Sequence, residues 1–204
     1  MRLALVRWLL VCLFSWPLAA IAADQPAESI AGPQLLSALH RGGFILYFRH
    51  TSTDFGQNDD LMTDYANCAQ QRNLTDQGRE EARRIGAAIK RLAIPIADVL
   101  ASPFCRTRET AQLMFGRAKS SAAVRGGPAH PDSPERYAEL RRLLATAPPP
   151  GTNLVIVSHG NPFRAVTGEN NLAEGESAVV RPLGEAGFRI VARVTKDGWQ
   201  ALAP

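Results

Sequence analysis

Residues 44–51 read FILYFRHT. Five consecutive apolar residues follow Gly42 and Gly43, a run too short for an amphipathic helix and of the kind that forms a strand buried on both faces. The run stops abruptly on Arg49 and His50, and a hydroxyl-rich segment, Thr51-Ser52-Thr53, comes next. Two further runs share this plan. Residues 98–101 lead into Ser102-Pro103-Phe104-Cys105-Arg106, and residues 154–157 (LVIV) lead into Ser158-His159-Gly160-Asn161-Pro162. In open α/β sheets ligands bind beyond the carboxyl ends of the strands, so three such strands lying side by side would bring two arginines and two histidines to one edge. Singly, each of these has a structural reading, as a satisfied histidine or a surface charge. Together, two guanidinium forks and two imidazoles make a pocket for a tetrahedral dianion.

The intervening segments read as helices. In residues 75–92 (TDQGREEARRIGAAIKRL), Thr75 is a candidate N-cap, and Ala82, Ile85, Ile89 and Leu92 recur at helical spacing, with a basic outer face that reads as solvated. Residues 106–115 and 134–144 are expected to form two more helices, the second capped by Ser133 with Pro134 at its first position. Residues 178–182 (AVVRP) and 187–194 (GFRIVARV) read as strands, the latter alternating as if one face were wet. Strands alternating with helices argue an α/β sandwich. The Pro148-Pro149-Pro150-Gly151 run is a stiff connection, because neither side could bury a core alone.

With 204 residues, 46% apolar and 21% charged, the chain can bury a sizeable core, which excludes a disordered protein. Its formal charge of +4 is too small an excess to argue for nucleic acid. Residues 1–22 have the anatomy of a secretory signal peptide: Arg2 and Arg7, an apolar stretch from Trp8 to Leu18, then Ala20-Ile21-Ala22 as the cleavage site. An uncleaved anchor is the alternative. Cleavage would leave residues 23–204 as a single domain with its core over about 30–200, periplasmic or secreted, with no stable membrane span. Cys12 would leave with the leader. Cys68 and Cys105 remain, and in an exported protein an even pair is expected to form a disulfide, the alternative being two separate buried thiols.

FRHT, SPFCRTRETA and VSHGN, in that order, resemble the signature of the histidine phosphatase superfamily, the phosphoglycerate mutase-like fold. The segment NLTDQGREEARRIG is similar to what lies between that family's first two motifs, so the resemblance covers most of residues 23–204. It implies a three-layer α/β/α sandwich around a mostly parallel sheet. It also implies that His50 is phosphorylated, with Arg49, Arg106 and His159 around the phosphoryl group. The chemistry is coherent: a neutral imidazole is a competent nucleophile, and a phosphohistidine splits one hard hydrolysis into two easier steps. Arg49 and Arg106 would clamp the oxygens, His159 would donate to them, and the backbone N–H groups of Gly160 and Asn161 would add a helix N-terminus. No cofactor is implied. Four histidines scattered without carboxylate spacing do not suggest a zinc site.

Two departures stand out. Thr51 follows the first His where many family members have Gly, and no obvious proton donor is present. Asp132, Glu135 and Glu139 read as helix-start or surface carboxylates, which leaves Asp54 and Glu176 as candidate donors. A leaving group of low pKa would need none. The sequence therefore suggests an exported, metal-independent phosphomonoester hydrolase acting through His50 on a phosphorylated small molecule or a cell-envelope phosphate. The alternative is a catalytically dead phosphatase fold that binds a phosphorylated ligand in the periplasm.

Overall fold

The computed structural model describes residues 29–127 and 134–202. The leader assigned to residues 1–22, the cap assigned to Ser133 and the carboxylate of Asp132 lie outside the described residues.

Among the described residues six strands form one sheet: β1 (Ile45–Arg49), β2 (Ile96–Ala101), β3 (Lys119–Ser120), β4 (Asn153–Ser158), β5 (Ser177–Pro182) and β6 (Phe188–Val194), in the order β3-β2-β4-β1-β5-β6. The three apolar runs are adjacent, as their patterns suggest, with β4 in the middle and parallel to both β1 and β2. The four strands from β3 to β1 are parallel. β5 and β6 complete the sheet antiparallel, joined by a tight connection that leaves no room for a crossover helix. The register pairs Arg49 with Ser158, so β1 and β4 end level with one another.

Period-2 alternation divides the core. Leu46, Phe48, Val99, Ala101, Val155 and Val157 face one side, where they meet α1 (Gly32–Arg41), α2 (Asp76–Arg91), α3 (Cys105–Phe115) and Trp199 of α6 (Gly198–Ala201). Ile45, Tyr47, Ile156, Ala178 and Val180 face the other side, against α4 (Ala138–Ala145) and α5 (Gly160–Thr167). The result is a three-layer sandwich, because strands buried on both faces need helices on both. α1 was not singled out in the sequence, although Pro33 in its first turn and Leu35, Ala38 and Leu39 on its buried side give it a helical signature. The helix expected over 134–144 is split into a 3₁₀ turn (Pro134–Tyr137) followed by α4.

α2 begins as its sequence suggests, with the Thr75 hydroxyl accepting from the Gly78 N–H at 2.9 Å. Two further features fasten this helix to the loop after β1. Glu81, almost fully buried, accepts from Ser52 Oγ at 2.7 Å, Gln77 Nε2 at 2.9 Å and Lys196 Nζ at 2.6 Å. Burial alone would raise the Glu81 carboxyl, but these donors outweigh it and hold the pKa down to about 2. In addition, a Cβ on Gly78 would lie 2.0 Å from the Ser52 carbonyl oxygen, so only glycine lets the helix seat against that loop. Gly78→Ala is therefore expected to cost about 1–3 kcal/mol, seen as a melting temperature lower by roughly 3–10 °C. An unchanged melting curve would show that the helix and loop can part without cost.

Candidate active site

The ends of β1, β2 and β4 open into a cavity of about 660 Å³ lined by Arg49, His50, Phe104, Arg106, His159, Gly160 and Asn161, among others. The chain continues in extended form past each strand, with the His50 N–H donating to the Ser158 carbonyl at 3.0 Å and the Ser102 N–H to the Val157 carbonyl at 2.9 Å. These bonds carry the sheet's rigidity into the polar residues that follow.

His50 is 1% exposed. Its Nδ1 lies 2.9 Å from the Thr51 carbonyl oxygen, which can only accept, so Nδ1 carries the proton and Nε2 carries the lone pair. Nε2 has no hydrogen-bond partner among the described residues. Burial pushes the His50 pKa well below the ordinary 6.5; the Thr51 carbonyl opposes this, and the charges of Arg106, Arg49 and Arg72 add to it. The ring is a neutral imidazole with one fixed tautomer, a state suited to attack on phosphorus.

His159 stands edge-on to His50, with ring centroids 5.5 Å apart, and packs against Phe104 at 4.9 Å. Its Nε2 pairs with Ser102 Oγ at 2.8 Å, while Nδ1 lies 3.5 Å from Arg106 Nη2. Arginine can only donate, so Nε2–H is directed to Ser102 and Nδ1 is the accepting edge. Burial first, then the neighbouring His50 and the arginines, lower this pKa well below 6.5. A dianion bound among the same arginines would act in the opposite direction and favour protonation at Nδ1, turning it into a donor.

Arg49 and Arg106 are each anchored through Nη1. Arg49 Nη1 donates to the Leu172 carbonyl at 2.8 Å, and Nη2 faces Glu174 Oε1 at 3.5 Å. Arg106 Nη1 donates to Asp59 Oδ1 at 2.9 Å and to the Arg72 carbonyl at 3.2 Å. Among the described residues, the Nε atoms of Arg49, Arg72 and Arg106 are buried without a partner. Buried donors of this kind are costly unless an acceptor completes them, and a phosphoryl group supplies several oxygens. Glu174 also accepts from Thr53 Oγ1 at 2.6 Å and lies 3.9 Å from His50 Nδ1, so one carboxylate backs both Arg49 and the loop carrying the imidazole.

Residues 45–125 match the model of the histidine phosphatase superfamily (branch 1). Over that span, less than half of its length, the chain is similar to that superfamily. No protein of curated function matches it by sequence. Solved structures of similar fold include a mycobacterial glucosyl-3-phosphoglycerate phosphatase, Rv2419c, with inorganic phosphate: 15% identity, TM-score 0.56, covering 78% of this chain and 99% of the other. SixA from Agrobacterium tumefaciens, to which phosphohistidine phosphatase activity is ascribed, has 17% identity and TM-score 0.51, covering 75% and 98%. TTHB049 from Thermus thermophilus has 20% identity and TM-score 0.50, covering 74% and 99%. His159 lies beyond the span matched to the superfamily model, and it is the parallel pairing of β1 with β4 that sets it opposite His50.

The structure thus gathers Arg49, His50, Arg106, His159, Gly160 and Asn161 around one cavity and joins Cys68 to Cys105 in a disulfide. It does not bring the two candidate proton donors there. Glu176 is turned to the sheet's far edge by Arg193, at 2.8 and 3.0 Å, and also accepts from the Ala173 N–H. Asp54 closes a turn on the Gly56 N–H at 2.8 Å. Among the described residues, the carboxylates lining the cavity are instead Asp59 and Asp60. Sequence reasoning passed over these two, along with Arg72, Glu174 and Ser102. Asp59, Asp60 and Arg72 lie in a polar segment with no apolar run to orient it, whereas Ser102, just after β2, belongs to the SPFCRTRETA motif.

The two buried histidines carry a consequence for stability. Their folded pKa values lie below the 6.5 that unfolding restores, so below about pH 6.5 the unfolded chain binds more protons. Stability present above that pH is then lost as pH falls. The melting temperature should decline from pH 7 to 5, and the His50→Asn/His159→Gln double variant should flatten that decline. An equally steep decline in the variant would assign it to other groups.

Proposed function

We propose that this chain is an exported phosphomonoester hydrolase that works through a phosphohistidine on His50 and needs no metal ion. The observation that carries the reading is the state of His50: Nδ1–H committed to the Thr51 carbonyl, Nε2 free, and Arg49, Arg106 and His159 lining the same cavity. In the first step Nε2 attacks phosphorus, the P–N bond forms, and the P–O ester bond breaks. The alcohol leaves with a proton drawn from solvent or a cavity carboxylate. In the second step water attacks phosphorus, the P–N bond breaks, and phosphate departs while Nε2 regains its lone pair. Arg49, Arg72 and Arg106 neutralise the oxygens throughout, and His159 donates from Nδ1.

Glu174 offsets the charge that the His50 ring acquires once phosphorylated, since Nδ1 keeps its proton in that state. Asp59 is engaged by Arg106 and by the Arg72 N–H, leaving Asp60 as the cavity carboxylate with no side-chain partner among the described residues. Export is supported by the leader-like residues 1–22 and by the Cys68–Cys105 bond, a linkage that persists in oxidising compartments. Among the described residues no helix is long and apolar enough to cross a membrane.

Rapid quenching of turnover with a ³²P-labelled phosphomonoester tests the mechanism. The expected label is acid-labile and base-stable and maps to the peptide containing His50, with turnover unaffected by EDTA. Label on another residue, or activity abolished by EDTA and restored by zinc, would sink the reading. A protein that binds phosphate with no turnover at all would support the phosphate-binding alternative.

A further inference from the structure

The Cys68–Cys105 bond has two unlike ends. Cys68 is exposed in the 3₁₀ turn Cys68–Gln70, whereas Cys105 is 5% exposed and is the first residue of α3. A groove of about 870 Å³ runs beside the bond, lined by both cysteines, Asn73, Leu74, Arg108 and Leu113 among others. Among the described residues none lines both this groove and the catalytic cavity. A reagent can therefore reach the sulfur of Cys68 without passing the histidines.

Arg108 marks the other sulfur. Its Nη2 lies 3.3 Å from Cys105 Sγ and 3.4 Å from the Tyr65 carbonyl oxygen, and its Nε is buried without a partner among the described residues. A disulfide sulfur is a neutral, weak acceptor, so a half-buried guanidinium gains little by facing it. A thiolate in the same place would accept a charge-assisted hydrogen bond and would also sit at the positive end of an 11-residue helix. The surroundings of Cys105 thus suit the anion formed when the bond opens better than the bond itself. In thiol exchange the accessible sulfur is attacked, and the sulfur with the more stable thiolate leaves faster. Both criteria agree here, since exposure selects Cys68 for attack and Arg108 selects Cys105 to leave.

We infer that Cys68–Cys105 is a thiol-exchange site, opened by a dithiol that attacks Cys68, and that its opening switches the neighbouring phosphate clamp. The partner's first thiolate attacks Cys68 Sγ, the bond to Cys105 breaks, and Cys105 leaves as a thiolate beside Arg108. The partner's second thiolate then attacks its own sulfur of the mixed disulfide and releases Cys68. Two electrons pass from the dithiol, which becomes a disulfide, and its two thiol protons go to the released cysteines or to solvent. Arg106 follows Cys105 directly, so the release reaches the clamp. Only the switch rests on the phosphate-binding reading; the exchange chemistry does not.

To test the exchange, the oxidised protein is treated briefly with glutathione, a monothiol that halts at the first step, then quenched with iodoacetamide and mapped by mass spectrometry. The expected product carries glutathione on Cys68 and an alkylated Cys105. In dithiothreitol redox buffers the Arg108→Gln variant is expected to have an equilibrium constant for reduction about tenfold below wild type, the loss of one charge-assisted hydrogen bond. The sign discriminates, because an Arg108 that merely tied down the Tyr65 segment would, once removed, make reduction easier. Inorganic phosphate, titrated calorimetrically, should bind about tenfold more weakly after reduction and recover on reoxidation. Circular dichroism reports separately on folding. A glutathione adduct on Cys105, reduction only in denaturant, or an equal or larger reduction constant in the variant would overturn the exchange site. Phosphate affinity unchanged by reduction would overturn the switch. If the oxidised protein binds no phosphate, the phosphatase reading and the switch fail together, and the adduct and the Arg108 comparison still decide the exchange site.

Discussion

The His50→Ala variant is expected to hydrolyse phosphomonoesters at least about a thousandfold more slowly than wild type, because removing a nucleophile removes the two-step path and leaves only the benefit of binding. The site's construction allows a sharper statement. Arg49 is held by Leu172 and Glu174, and Arg106 by Asp59 and Arg72, none of which depends on the His50 ring. The loss should therefore appear in kcat, while inorganic phosphate still binds within a few-fold of the wild-type affinity. Wild-type activity in the His50→Ala protein, measured with an activated aryl phosphate, would remove the imidazole from the mechanism. Loss of phosphate binding in step with activity would mean that the ring organises the pocket rather than reacting within it.

The second large effect is expected from reducing the Cys68–Cys105 bond, which closes a loop with a sequence separation of 37. Chain-entropy arguments give about 3–4 kcal/mol of stabilisation for a loop of this length, or a fall in melting temperature of roughly 8–15 °C on reduction. The bond also does something local. Cys105 opens α3 immediately before Arg106, and its N–H donates to Gln71 Oε1 at 2.9 Å. Gln71 in turn donates to the carbonyls of Tyr65 and Asn67. Asp59, in the same tethered segment, accepts from both Arg106 and the Arg72 N–H at 2.9 Å. Releasing the tether should loosen two of the cavity arginines together. Cys105→Ser, or the reduced protein, is thus expected to bind phosphate about tenfold more weakly as well as to melt earlier. Two titratable thiols in the unfolded, non-reduced protein would contradict the bond. A lower melting temperature with unchanged phosphate affinity would confine its role to stability.

How far the sequence alone could reach is clearest along β1, β4 and α2. Continuous apolar runs of strand length can satisfy their backbone only inside a sheet covered on both faces, so FILYF and LVIV determined a layered α/β fold and placed Arg49, His50 and His159 at strand ends before any contact was known. The capped, amphipathic residues 75–92 determined α2 for the same kind of local reason. The cysteine pair, too, was legible from its number and the leader-like segment before it.

Only the tertiary structure decided the rest. Glu176 and Glu174 are two residues apart in one loop, and nothing in their composition tells which faces Arg193 at the sheet's edge and which backs Arg49 and His50. Arg72 and Asp59 lie in a polar segment whose course is set by a disulfide and by Gln71, through contacts between residues distant in sequence. Periodicity reports the faces that must be dry. A charged side chain in a loop obeys no period, and its role is assigned by whichever partner the folded chain brings within hydrogen-bonding distance.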